Sequence, residues 1–365
     1  MQSTYPGGKP WLYAFGLRKN KTFSTVVLGL VIFLEILLQE SRQGGGTEEN
    51  MQIAIQLLLL VAGFCLLMKG ADWFVEGASG IADRFGIPQL VIGLTIVAIG
   101  TSLPEAAVSI SAALKGSAEI TIGNVVGSNI MNILVILGLT SAICAIPVQK
   151  STVRYEIPFV IIVTVVLGLL GLFDNTVGRL DGIVLWVLMA VYMIYLLKMA
   201  KKGTATEEEK KEKKMPVWKM LLMVAAGAVM IVFGSDVTVD AATKLAMIFG
   251  MSERFIGLTI VALGTSLPEL VTSVTAAVKG KSDIAMGNII GSNIFNILFV
   301  VGTTAVITPV VYSRNFLLDS LVAVGAAVLL FLCVVRKKKL TRTGGILMLL
   351  GYAAYFVYLI QFSQP

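Results

Sequence analysis

Gly93-Leu-Thr-Ile-Val-Ala-Ile-Gly-Thr-Ser-Leu-Pro-Glu105 returns later in the chain as Gly257-Leu-Thr-Ile-Val-Ala-Leu-Gly-Thr-Ser-Leu-Pro-Glu269. The offset is 164 residues, and between Gly93–Gly116 and Gly257–Gly280, 17 of 24 positions are identical. The same offset aligns Gly70, Asp72, Gly123, Asn124, Ser128 and Asn132 with Gly234, Asp236, Gly287, Asn288, Ser292 and Asn296. A constant offset without an internal gap means a duplicated structural unit. Each copy also sets a Pro and an ionisable Glu inside an apolar run, where both are costly. Doing so twice, in corresponding places, points to one two-sided site.

Composition says where such a unit resides. The chain is 56% hydrophobic and 14% charged, with a mean hydropathy of +0.86; soluble domains carry about a quarter charged residues. Apolar runs of about 17–25 residues recur, the length that spans a bilayer core. Ten spans are expected, near 53–82, 88–114, 120–146, 155–173, 180–198, 217–247, 255–278, 284–307, 316–335 and 343–360. Cys65, Cys144 and Cys333 lie scattered in apolar runs and read as small core residues. The chain has no His, which removes the commonest zinc ligand and near-neutral proton carrier. The net charge of +7 sits between hydrophobic runs, a topology signal and not a nucleic-acid surface.

Eight Lys lie from Lys198 to Lys219, and Arg336, Lys337, Lys338, Lys339 and Arg342 precede the last span. The positive-inside rule puts both loops in the cytoplasm, including the polar segment 199–216. Arg84, Lys150, Arg154, Lys279 and Lys281 then fall inside, with Lys115 the main basic residue outside. Five spans separate the copies, so residues 51–198 and 217–365 cross the membrane in opposite directions. Inverted repeats are common in secondary transporters. Residues 1–50 have no counterpart. Lys9, Arg18, Lys19 and Lys21 before the apolar run Phe23–Leu38 suit a signal sequence or an eleventh span. A start at Met51, which opens the first clear span, suits the sequence equally.

Broken helix is tolerated in hydrocarbon only when buried or lining a cavity. Leu103-Pro104 and Leu267-Pro268 should break their spans, because Pro lacks an N–H. The carbonyls thus freed around Gly100–Thr101 and Gly264–Thr265 are candidate oxygen ligands. Ser102, Glu105 and Ser109 share one helical face, as do Ser266, Glu269 and Ser273. Carboxylate, hydroxyl and carbonyl oxygens suit hard cations such as Ca2+ and Na+. The next span of each copy adds Gly-Asn-x-x-Gly-Ser-Asn-Ile-x-Asn, with Ser128 and Asn132 one turn apart, like Ser292 and Asn296. Amides recurring beside an intramembrane Glu favour a ligand role for Asn132 and Asn296. For Asn124, Asn129, Asn288 and Asn293, ligand and helix-bridging roles stay open. For Asp72, Glu76, Asp236 and Asp240, lining an aqueous entrance or supporting gating and an interfacial position bound to Lys69 or Lys244 both stay open, the interfacial one being favoured. Glu119 and Asp283 suit solvated loop edges.

The doubled Gly-Thr-Ser-Leu-Pro-Glu with its following Gly-Ser-Asn-Ile-x-Asn resembles the cation/Ca2+ exchanger superfamily, specifically its prokaryotic-type sodium/calcium exchanger branch. The alpha repeats of that family look like Gly93–Gly138 and Gly257–Gly302. The resemblance implies an all-α membrane protein of ten helices, two inverted five-helix repeats, with ion sites near the midplane. It implies Glu105 and Glu269 as central carboxylates, oxygens from Thr101, Ser102, Thr265 and Ser266, and completion by Ser128, Asn132 and Ser292. Many members carry Asp where this chain has Asn296, which argues against K+ co-transport. The implied activity is Na+ for Ca2+ antiport across the plasma (inner) membrane, by a monomer and without a cofactor. A Ca2+/H+ or other cation/H+ antiporter and, in another class, a cation channel are the competing readings. With no His and no nucleophile–base pair in the duplicated core, an enzyme is not expected.

Overall fold

The computed structural model describes residues 47–115, 118, 120–203, 215–250, 262–312 and 314–362. Helices dominate. Helix α1 (Thr47–Phe85) leads to α2 (Gln89–Thr101) and α3 (Leu103–Leu114), two halves of one span bent by 49°. Helix α4 (Ile120–Ile143) follows, then α5, a π-helical turn Thr152–Glu156 running into Ile157–Asp174, and α6 (Arg179–Gly203). The second copy runs α7 (Val217–Ile248), α8 (Ala262–Thr265), α9 (Leu267–Val278), α10 (Ser282–Ile307), α11 (Arg314–Val335) and α12 (Arg342–Phe362).

Among the described residues, eight helices are long and apolar enough to cross a membrane, and the α2–α3 pair makes a ninth. The expected seventh span, 255–278, falls partly on residues 251–261, outside the described residues. So do 1–46, Glu119 and most of the polar segment, 204–214; the helix before that segment continues through Gly203. The first helix starts at Thr47, four residues before Met51.

Four two-residue strands report the symmetry independently of the helices. Strand β1 (Ile146–Pro147) pairs antiparallel with β4 (Lys339–Leu340), and β2 (Thr176–Val177) with β3 (Val310–Val311). Adding 164 carries β1 onto β3, and β2 onto β4 to within one residue. The two ribbons therefore exchange under the repeat. Helix α5 alone separates β1 from β2, and α11 alone separates β3 from β4. If each crosses the membrane once, the ribbons lie on opposite faces and the copies are inverted.

Helices α4 and α10 form the buried centre, and the remaining long helices turn apolar faces outward. A helix apolar all round belongs inside, whereas one facing lipid keeps its large side chains exposed. The long helices α1 and α7 lie against each other along their length. Their backbones meet at glycines: a Cβ on Gly70 would stand 2.9 Å from the Gly227 carbonyl, and one on Gly234 2.9 Å from the Gly63 carbonyl. Small residues permit such approaches between membrane helices. These four glycines are also related by the 164-residue offset.

Candidate ion-binding site

The break in each motif span falls at the serine. Ser102 (φ −87°, ψ 8°) and Ser266 (φ −93°, ψ 4°) leave the helical region, and Pro104 and Pro268 sit in the first turn of the next half-helix. Pro suits that place because its missing N–H has no helical partner there. The half-helices α3 and α9 thus begin deep in the protein, with Glu105 and Glu269 in their first turns. Both carboxylates are fully buried.

The two copies interlock at this point. The Ser102 hydroxyl of the first copy donates to Glu269 Oε1 of the second at 2.8 Å, and the Ser292 hydroxyl is shared between that oxygen and the Ala98 carbonyl, each at 3.4 Å. Thr101 Oγ1 donates to Asn288 Oδ1 at 3.0 Å. Asn129 and Asn293 each donate an amide N–H to the other's backbone carbonyl, at 3.1 and 3.2 Å. Asn132 Nδ2 then donates to Asn293 Oδ1 at 2.9 Å, and Asn296 Nδ2 to Asn129 Oδ1 at 3.2 Å. This ring of four amides fixes their orientation, since turning Asn132 or Asn296 over would bring an oxygen against an oxygen. Each of these two Asn also opens a π-helical turn, Asn132–Leu137 and Asn296–Val301. Such turns often mark functional sites.

What the ring leaves over is chemically uniform. Glu105 Oε1 and Oε2, Glu269 Oε2, Asn132 Oδ1, Asn296 Oδ1 and Ser266 Oγ are all buried without a hydrogen-bond partner. Buried oxygens without partners are rare and costly. Six in one cluster, drawn from both copies, suit a hard cation. Among the described residues no group of three His, Cys, Asp or Glu side chains comes together, so the charge available is that of two carboxylates. Ser128 is buried one turn before Asn132, and Thr265 is half-buried at the edge of the cluster.

Several details differ from the expectations drawn from the motifs. Ser109 and Ser273 do not share a role with the glutamates. They accept hydrogen bonds from Asn124 and Asn288 at 2.9 Å, and those amides also donate to the Glu105 and Glu269 carbonyls. The Gly264 carbonyl, which Pro268 cannot satisfy, accepts the Ser235 hydroxyl at 2.9 Å. Ser235 lies outside the duplicated motif and its counterpart is Ala71, so no repeat signal could have identified it. Asp72 pairs with Lys279 at 3.0 Å, not with Lys69, which lies over the Trp73 ring. Asp240 does pair with Lys244, at 2.7 Å. Asp283 is half-buried and accepts from Gln149 at 2.6 Å.

A cleft of about 330 Å³ between α3 and α7 is lined by Pro104, Val108, Asp236, Asp240 and Thr265, and it reaches the second motif. On the opposite side, the positions equivalent to Pro104 and Val108 are Pro268 and Thr272, both buried. There Phe74 covers Gly100, as Val239 covers Gly264 on the cleft side, and the Lys279–Asp72 pair bridges α1 to the end of α9.

A sequence-family profile described as "Sodium/calcium exchanger protein" matches residues 55–198 and 219–361, which are the two repeats. The inner membrane protein YrbG of Escherichia coli (strain K12) is 38% identical over 320 residues, 84% of this chain and 97% of that one. The sodium/calcium exchanger MaX1 of Methanosarcina acetivorans is 30% identical over 347 residues, 84% of this chain and 99% of that protein. A solved structure of the sodium-calcium exchanger NCX_Mj, soaked with 10 mM Na+ and zero Ca2+, superposes with a TM-score of 0.73 at 32% identity. It covers 86% of this chain and 100% of that one. Profile, relatives and fold agree: the chain is a multi-pass membrane protein that belongs to the sodium/calcium exchanger family.

Proposed function

We propose that this protein is a secondary antiporter that moves Na+ one way and Ca2+ the other by alternating access to one central site. The observation that carries the proposal is the cluster of six unpartnered oxygens contributed by both inverted repeats. Glu105 and Glu269 are the charged ligands, Asn132, Asn296 and Ser266 supply neutral oxygens, and Thr101, Ser102, Thr265, Ser128 and Ser292 complete or brace the shell. Two carboxylates balance one Ca2+ or two Na+. A low-dielectric site strongly disfavours uncompensated charge. Either cargo therefore excludes the other, which is the physical basis of exchange. No covalent step and no cofactor are required.

The cleft beside Asp236 and Asp240 is the access path in this state. With the segment 199–216 cytoplasmic, α7 runs outward and the cleft opens to the outside, while the Lys279–Asp72 side is closed. The two repeats, 51–198 and 217–365, exchange these roles when the cycle turns over. The protein works as a monomer in the plasma (inner) membrane.

Coupling is tested in liposomes. Purified protein in Na+-loaded vesicles takes up 45Ca2+ when an outward Na+ gradient is imposed, and uptake collapses when Na+ is equal on both sides. Uptake that follows a pH gradient and ignores Na+ would replace this reading with Ca2+/H+ exchange. Flux that persists without any counter-ion gradient, at channel-like rates, would replace it with a cation channel.

Potassium is dispensable. Asn296 is neutral where an acid would add a third negative charge, and its amide N–H is already held by Asn129. Na+-driven uptake is therefore equal, within about twofold, whether K+ or choline balances the charge. A strict K+ requirement in the same vesicle assay would mean that a further cation binds elsewhere in the chain.

A further inference from the structure

The 164-residue offset matches Asp72 with Asp236 and Lys115 with Lys279, so the repeat holds two equivalent acid–lysine couples, Asp72 with Lys279 and Asp236 with Lys115. Only the first is joined. Lys279 Nζ lies 3.0 Å from Asp72 Oδ1 and also donates to the Asp72 carbonyl at 3.1 Å, tying the end of α9 to α1. Among the described residues, Lys115 and Asp236 form no ion pair. Both lysines nevertheless end their half-helices in the same backbone conformation, φ −91° and ψ 2° at Lys115, φ −76° and ψ 2° at Lys279. Local geometry does not separate them.

The difference lies in how the two seams pack. Pro268, Val271, Thr272, Thr275 and Ala276 form one face of α9, and all five are buried. Val271 and Ala276 join Ala71, Val75 and Ala78 of α1 in one core. The matching face of α3 is Pro104, Ala107, Val108, Ser111 and Ala112, and none of these is buried. It borders the cleft of about 330 Å³ toward α7, with Asp236 on the α7 wall. Small and apolar residues of this kind suit a closely packed helix partner as well as those of the covered face do.

We propose that Lys279–Asp72 and Lys115–Asp236 are alternative latches, the first holding the α1–α9 seam and the second the α3–α7 seam. The proposal rests on the alternating-access reading above. When α7 closes on α3, the inverted repeat brings Asp236 to Lys115 as Asp72 now stands to Lys279. Helix α1 then withdraws from α9, and Lys279 releases Asp72. Each state holds one pair, so the gain of one offsets the loss of the other. Removing either tilts the balance by what a partly exposed ion pair contributes, about two- to fivefold in population.

Cysteine cross-linking tests this on the full-length chain with Cys65, Cys144 and Cys333 replaced by Ala, in choline buffer free of Na+ and Ca2+. A short bis-methanethiosulfonate reagent links Asp72→Cys to Lys279→Cys, and it also links Lys115→Cys to Asp236→Cys. Adding Lys279→Gln to the second pair speeds its linking about two- to fivefold, whereas Lys279→Arg, which keeps the charge, does not. Adding Lys115→Gln to the first pair speeds that link by the same factor. Lys337→Gln, exposed beyond the end of α11, changes neither rate. Absence of any link between the Lys115 and Asp236 positions, or a rate indifferent to Lys279→Gln, overturns the proposal. If the cysteine variants do not fold, hydrogen exchange of Lys279→Gln decides. Amides of Val271–Lys279 then exchange faster than in the parent and those of Ala107–Lys115 slower, and any other pattern overturns the latches. Na+-driven uptake without the second link overturns the latches alone. Both links in a chain whose uptake follows pH overturn the Na+ coupling alone.

Discussion

Glu105→Gln and Glu269→Gln each weaken Ca2+ binding by about two to three orders of magnitude in calorimetric titration. Either change leaves size and hydrogen-bonding capacity nearly intact and removes one of the two charges facing the ion. Losing one partner of a buried charge pair costs about 3–5 kcal/mol, and about 1.4 kcal/mol is a factor of ten. The structure adds a difference between the two variants. Glu269 keeps hydroxyl donors from Ser102 and Ser292 on one oxygen, whereas both oxygens of Glu105 are without a donor. In buffer free of Ca2+ and Na+, Glu105→Gln therefore melts at a higher temperature than the parent protein, and Glu269→Gln gains less. Asp283→Asn, whose carboxylate is held by Gln149 at a membrane face, keeps near-normal affinity. Retained Ca2+ affinity in either Glu variant would mean that the duplicated motif is a structural joint and the cargo binds elsewhere.

The parts of this architecture legible in the chain were those that repetition writes twice. The 164-residue offset marked Glu105 and Glu269, and the structure brings both into one cluster. The same offset marked the amides, but not which atom each would offer. Asn132 and Asn296 spend their N–H groups on the partner copy and leave the oxygens over. Asn129 and Asn293 bridge the repeats backbone to side chain. Both patterns are compatible with the same residues at the same spacing, because an amide is donor and acceptor at once. Departures from symmetry were less legible still. Ser235 satisfies a carbonyl that its counterpart Ala71 cannot, and Lys279 reaches Asp72 across 207 positions. Contacts that only one copy makes lie outside the symmetry from which the site was read. The β1–β4 and β2–β3 ribbons are two residues long per strand, too short for any periodic signal.

Gly287→Ala destabilises the protein by about 1–3 kcal/mol and cuts Na+-driven Ca2+ uptake severely, and Gly287→Val abolishes uptake. Helix α10 crosses α2 at Gly287 and Gly291 with backbone against backbone. A Cβ on Gly287 would stand 2.8 Å from the Leu90 carbonyl and 2.9 Å from Gly93 Cα and Leu94 N; one on Gly291 would meet Leu94 Cα at 2.8 Å. Backbone atoms in a helix cannot rotate aside, so relief requires the whole of α2 to retreat by about half an ångström or more. Overpacking of this kind costs about 1–3 kcal/mol even where side chains can adjust. The movement also reaches the site, because α2 ends in Thr101 and Ser102. Their hydroxyls bond Asn288 and Glu269 at 3.0 and 2.8 Å, distances with little room to lengthen. Loss of packing and loss of ion affinity therefore arrive together. Gly325→Ala in α11 is the matched control. No atom of the described residues lies within 4 Å of the added methyl there, and replacing Gly by Ala in a helix gains up to about 1 kcal/mol. Thermal unfolding and vesicle uptake of the two Ala variants decide the matter: equal melting temperatures and equal flux would show that α2 and α10 are free to separate and do not hold the site between them.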